Sequence, residues 1–119
     1  MERKMETVKK INVLGTQYTL IINADDELLP ENADGAMDHS LKRIVIAEFD
    51  KPDRNTIKDL SVYRKKVIRH EIIHAFLYES GLWNNSGDVS AWGQSEEITD
   101  WFAIQSPKIF KAFQETGCI

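Results

Sequence analysis

The stretch that decides the architecture is "RHEIIHAF", residues 69–76. Around it, Leu60, Tyr63 or Arg64, Val67, Ile68, Ile72 and Ala75 or Phe76 recur at intervals of three and four, the spacing of one helical face. The spacing predicts a helix from Thr56 or Ile57 to about Ser80, with Asn55 as N-cap and Gly81 as the stop. On such a helix His70 and His74 present both imidazoles to one point. Two imidazoles on a rigid element suit zinc, which takes nitrogen, sulfur or carboxylate ligands in tetrahedral geometry. Glu71 lies about 100° round the helix from His70, too far to complete the same tetrahedron easily. It can still reach water held at the metal, where a carboxylate serves as general base.

Three polar residues can also share a helix with no metal between them. The neighbours Ile72, Ile73, Ala75, Phe76 and Leu77 weigh against this. Burying two histidines and a glutamate among them costs several kcal/mol unless the polar atoms find partners. A catalytic zinc usually has three protein ligands plus water. The only other histidine, His39, falls in a loop-like segment upstream, but "SEEITDWFA", residues 95–103, offers carboxylates. Ser95 predicts the cap of a second helix running through Gln105 and closed by Pro107, with "PKIFKAFQE" a separate short amphipathic piece. Glu96 and Asp100 share a face of that helix. Glu96 is the candidate third ligand, Glu97 the competing one, and Asp100 the acid that orients a ligating histidine through its second nitrogen.

The remaining chain reads as strands and loops. "VKKINVLGTQYTLIINAD" predicts two short strands around a turn at Gly15-Thr16. Residues 24–40 hold Pro30, Gly35 and many acids and predict a loop. "LKRIVIAEF" is the strongest strand, "DKPDRN" breaks the chain, and "WNNSGDVSAWG" predicts a polar loop. A small, mostly antiparallel sheet over two helices is an α+β arrangement in one domain spanning 1–119.

Composition sets outer bounds. With 42% hydrophobic and 29% charged residues, the chain has the balance of a soluble globular protein. A net charge of −4 argues against a nucleic-acid groove, which needs clustered basic surface. "MERKMETVKK" lacks the apolar core of a signal peptide, and no apolar run has the length of a membrane span, so a cytoplasmic protein without membrane contact is expected. The single cysteine, Cys118, forms no internal disulfide; it is a loose terminal thiol or, alternatively, a thiolate ligand that keeps a zinc site latent. Without disulfides, a bound metal would staple so small a core.

"HEIIH" followed by "EEITD" resembles the gluzincins, zinc metallopeptidases whose best-known member is thermolysin. "DWFA" is similar to the end of the third-ligand helix in ImmA/IrrE-type peptidases, and the segments "YESGLW" and "IQSPKIF" look like small metallopeptidase-like proteins of phages and prophages. The resemblance implies a minimal zincin-like fold, Zn2+ held by His70, His74 and Glu96, Glu71 as catalytic base, Asp100 as the partner of a ligating histidine, and a peptide or protein substrate. It also implies that the strand "KRIVIAE" forms the rim of a cleft and pairs with an extended substrate. Larger gluzincins carry an oxyanion-stabilising tyrosine or histidine beyond the third ligand, and here no Tyr, His or Arg follows Asp100. His39, Tyr63 and Tyr78 are the remaining candidates, while Trp83, Trp92 and Trp101 read as core and loop anchors or, alternatively, as walls of substrate pockets. The alternative function is a non-hydrolytic, zinc-stabilised module that binds a protein partner in phage assembly or regulation.

Overall fold

The chain opens with a hairpin. In the computed structural model, which describes residues 5–49, 60–85, 87–89 and 91–119, strand β1 (Thr7–Val13) pairs antiparallel with β2 (Thr16–Ala24). Val13 faces Thr16, so the turn is Leu14-Gly15, one residue earlier than the sequence suggests. Both turn residues have positive φ (52° and 91°), the combination whose twist matches that of two joined strands. The Asn12 carboxamide oxygen accepts the Gly15 N–H at 2.8 Å and secures the turn.

Residues 24–40 are more than a loop. Asp25 caps a single 3-10 turn, Asp26–Leu28, and the segment then forms a four-residue strand, β3 (Gly35–Asp38). "GAMD" has neither alternation nor β-propensity; the strand exists because it pairs antiparallel with β4 (Arg43–Ala47). β4 also pairs with β2, in parallel, giving the order β1-β2-β4-β3. The expectation that "KRIVIAE" forms a cleft rim is therefore corrected: β4 is interior and paired on both sides, and the edge beside it is β3. Interior placement explains why Ile44 to Phe49 are all buried rather than alternating.

Helix α1 (Leu60–Glu79) packs on the sheet, where Val67 and Ala75 join Val13, Tyr18, Leu20, Ile44 and Ile46 in the core. The N-cap expected at Asn55 and the first turn from Thr56 lie outside the described residues. Gly81, at φ 90°, ends the helix as expected. The helix terminus is tied to the hairpin by Glu79, which accepts hydrogen bonds from Thr16 Oγ1 (2.9 Å), Tyr18 OH (2.7 Å) and Lys42 Nζ (2.9 Å). Part of the expected polar loop is a short helix, α2 (Leu82–Asn85).

Helix α3 (Glu96–Thr116) begins at Ser95, whose hydroxyl accepts the Ile98 N–H, and ends at Gly117 in the left-handed conformation. It does not stop at Pro107, as the sequence suggests; Pro107 lies inside it. A proline leaves the carbonyl four residues back without its helical donor. Here that carbonyl belongs to Ala103, and Arg69 Nε of α1 donates to it at 2.6 Å. The helix continues because its neighbour supplies the missing hydrogen bond. The result is an α+β fold of a small mixed sheet and three helices, and no described helix is long and apolar enough to cross a membrane.

Candidate metal centre

Val67, Glu71 and Ala75 are spaced four apart and form the stripe of α1 that faces the sheet. All three are buried, so an ionisable side chain occupies the middle of a core-facing stripe. His70 and His74 lie one step round the helix, turned toward the first turn of α3.

There the donors converge. His70 Nε2 and His74 Nε2 are 3.1 Å apart, and each is 2.8 Å from Glu96 Oε1. The three atoms form a small triangle that can hold a metal ion. Ligands about 2.1 Å from a tetrahedral zinc stand about 3.4 Å from one another. The observed separations are slightly smaller, a contraction that matches hydrogen bonding between donors where metal bonds would otherwise set the spacing. His74 forms the floor at 6% side-chain exposure, and Glu96 forms the open mouth at 75%. The donor set is two imidazole nitrogens and one carboxylate oxygen, which suits zinc.

The surrounding bonds orient the donors. Asp100 Oδ1 accepts from His70 Nδ1 at 3.0 Å and from Lys66 Nζ at 2.9 Å. With its proton on Nδ1, His70 presents an Nε2 lone pair to the triangle. Trp83 of α2 stands edge-on to the His74 ring, 5.7 Å between centroids. His74 Nδ1 is buried with no hydrogen-bond partner among the described residues.

Charge states follow from these surroundings. Burial pushes Glu71 up to about 7; the His70 charge opposes the shift and the Glu96 charge adds to it. Burial also works to raise Glu96, but hydrogen bonds and charge from His74 and His70 outweigh it and hold Glu96 below the usual carboxylate range. Asp100 is likewise held low, burial being outweighed by Lys66 and His70. His74 is pushed down by burial, with Glu96 opposing. Two carboxylates thus stay ionised while a third, Glu71, can accept and release a proton near neutral pH.

Of the residues singled out from sequence, His70, His74, Glu96 and Asp100 come together as drawn, with Glu71 beside them. Glu97 points elsewhere and is exposed. Tyr63 donates its hydroxyl to Asp34, and Tyr78 stacks on His39 at 4.1 Å, so neither tyrosine belongs to the donor triangle. Trp92 and Trp101 line a groove separate from the donors. Cys118 is exposed just past the far end of α3, a helix that rises about 30 Å from Glu96 to Thr116.

Sequence reasoning missed Gly35, Lys66 and the placement of Trp83. Lys66 had a signal, lying four before His70 on the same face. Gly35 had none: a Cβ there would stand 3.1 Å from Glu71 Cγ and 2.9 Å from Val67 Cγ1, a proximity created by β3 crossing α1.

No family model, curated protein or solved structure matches the chain.

Proposed function

We propose that this chain is a small zinc metallopeptidase in which His70, His74 and Glu96 hold the metal and Glu71 is the catalytic base. The observation that carries the proposal is the triangle of three donors beside a buried glutamate whose proton affinity is tuned to neutral pH. A purely structural site closes its coordination with four protein ligands and has no use for such a base. Bound zinc would supply Lewis acidity toward a carbonyl oxygen and would acidify water at the site. Glu71, buried beside the donors, would act as the proton carrier, accepting a proton from a nucleophilic water and releasing it toward the leaving amine. Asp100 fixes the His70 ring, and Lys66 fixes Asp100. The β3 edge, whose Gly35 lies against Glu71, is the strand along which an extended peptide would add by main-chain hydrogen bonds.

The test is elemental analysis of the purified protein followed by assay on a broad peptide library. One zinc per chain and cleavage by the wild type are expected, with Glu71→Gln retaining zinc and losing cleavage. Cleavage by Glu71→Gln at the wild-type rate would overturn the mechanism.

A second reading, a zinc-stabilised binding module, draws support from one observation. Tyr63 and Tyr78 are engaged elsewhere, and His39 is stacked on Tyr78, so none of these three stands ready to stabilise an oxyanion. A wild type that binds zinc, unfolds on chelation and cleaves nothing would favour it.

A further inference from the structure

The two histidines of the centre are held by different means. His70 has a polar tether: its Nδ1 meets Asp100 Oδ1 at 3.0 Å, and Lys66 holds the same oxygen at 2.9 Å. His74 has no such tether. Its Nε2 belongs to the donor triangle, and its Nδ1 is buried without a hydrogen-bond partner among the described residues. A ligating histidine ordinarily donates its second N–H to a carboxylate, a carbonyl or water, and that bond fixes the ring. Rotamer preference does not replace it, because χ2 of histidine is a broad torsion. Something else must keep Nε2, rather than Nδ1, turned toward the triangle.

Packing supplies it. The His74 ring lies against two aromatic rings, His70 at 4.8 Å and Trp83 at 5.7 Å between centroids, both near perpendicular at 74° and 78°. Perpendicular contact at this spacing is a favoured geometry of aromatic pairs. His70 is itself a donor, so Trp83 is the support that stands outside the triangle. Trp83 is anchored in turn. Gly81 ends α1 in the left-handed conformation and α2 follows at once, which sets the indole beside His74 and Tyr78 of α1. The Trp83 carbonyl accepts Gln94 Nε2 at 3.0 Å. The indole also meets Tyr78 and His39, each at 6.3 Å, and those two rings stack on one another at 4.1 Å. A ring packed among several others keeps one orientation.

We propose that Trp83 is the positioning residue of His74, its indole doing by packing what Asp100 does for His70 by hydrogen bonding. The proposal rests on the reading of His70, His74 and Glu96 as metal ligands, but the ring contact itself needs no metal.

The test compares Trp83→Leu with Trp83→Phe, which keeps an aromatic ring, and with Phe49→Leu, a buried core position whose ring packs on Tyr63 instead. In competition with a chelating dye, Trp83→Leu should bind zinc about tenfold more weakly. Trp83→Phe should recover most of that loss, and Phe49→Leu should keep wild-type affinity although its melting midpoint falls. The visible absorption of bound Co2+, which reports donor geometry, should change in Trp83→Leu and not in Phe49→Leu. In metal-free protein, imidazole nitrogen–proton NMR correlations of His74 should shift and broaden in Trp83→Leu, far more than those of His70. A Trp83→Leu protein with wild-type affinity, an unaltered cobalt spectrum and unmoved His74 signals overturns the proposal and leaves the metal reading standing. Equal loss of affinity in Phe49→Leu also overturns it, because affinity would then follow stability alone. A wild type that takes up neither zinc nor cobalt overturns the metal reading; the metal-free signals then decide the role of Trp83, and His74 resonances unmoved in Trp83→Leu overturn that role too.

Discussion

Replacing Gly35 by alanine tests how the sheet positions the buried glutamate. The added Cβ would stand 2.9 Å from Val67 Cγ1, 3.1 Å from Glu71 Cγ and 3.3 Å from Glu71 Oε2. Carbon atoms rest about 3.5–4.0 Å apart, so the new methyl intrudes by up to roughly 1 Å. Val67 is 5% exposed and β-branched, and on a helix it has essentially one rotamer, so it cannot swing aside. Either α1 moves off β3 or Glu71 leaves its position. Overpacking of this kind costs about 1–3 kcal/mol, and each kcal/mol lowers the melting midpoint by roughly 3–6 °C in a chain of this length. The backbone of Gly35 is not left-handed, so Gly→Ala would otherwise stabilise by about 0.4–1 kcal/mol, which makes a loss diagnostic. Thermal unfolding by far-UV dichroism reads the effect, with Gly87→Ala as control because nothing lies within 4 Å of a Cβ there. Because the intrusion falls on Glu71 and not on the metal donors, turnover should fall further than zinc affinity. A Gly35→Ala protein that melts and turns over like the wild type would refute the idea that this close approach holds Glu71.

Three further outcomes follow from particular contacts. Glu79 is held below the usual carboxylate range chiefly by the Tyr18 hydroxyl and then by Lys42, so its contribution is complete at neutral pH and is lost as pH falls through that lowered value. Glu79→Gln should cost about 1–2 kcal/mol at pH 7, and chemical denaturation should show the difference shrinking in acid; an unchanged gap at low pH would refute the assignment. Arg69→Met should destabilise by about 1–3 kcal/mol by orphaning the Ala103 carbonyl. In a Pro107→Ala background the restored N–H can reach that carbonyl, so urea titrations should show a smaller cost there, and equal costs would sink the explanation. Asp100→Asn should lower zinc affinity about 10–100-fold in competition with a chelating dye, since Asp100 is the partner of His70 Nδ1 among the described residues; unaltered affinity would remove that role.

The centre was legible in sequence to an unusual degree because both of its halves are local. His70 and His74 share a helical face, as do Glu96 and Asp100, and Ser95 fixes where the second helix starts. The sequence ranked Glu96 ahead of Glu97, and the packing of α3 on α1 brings Glu96 to both histidines. Other elements could not be read locally. β3 has no strand signature and forms only because β4 offers it a ladder, while the continuous apolar run of β4 suits a strand with neighbours on both sides. The break expected at Pro107 fails because Arg69, 34 residues away in the chain, completes the helix.

The sequence by itself determined the two helices, their faces and the chemistry of the four groups on them, because the 3.6-residue period alone brings residues four apart together. The tertiary structure decided the rest. It placed the α3 triangle vertex against α1, turned Glu71 into the core where desolvation raises its proton affinity, and brought a side-chain-free residue of β3 against it. Proton affinity depends on what surrounds a group, and at Glu71 those surroundings come from β3, α1 and α3, which no local window of sequence contains together.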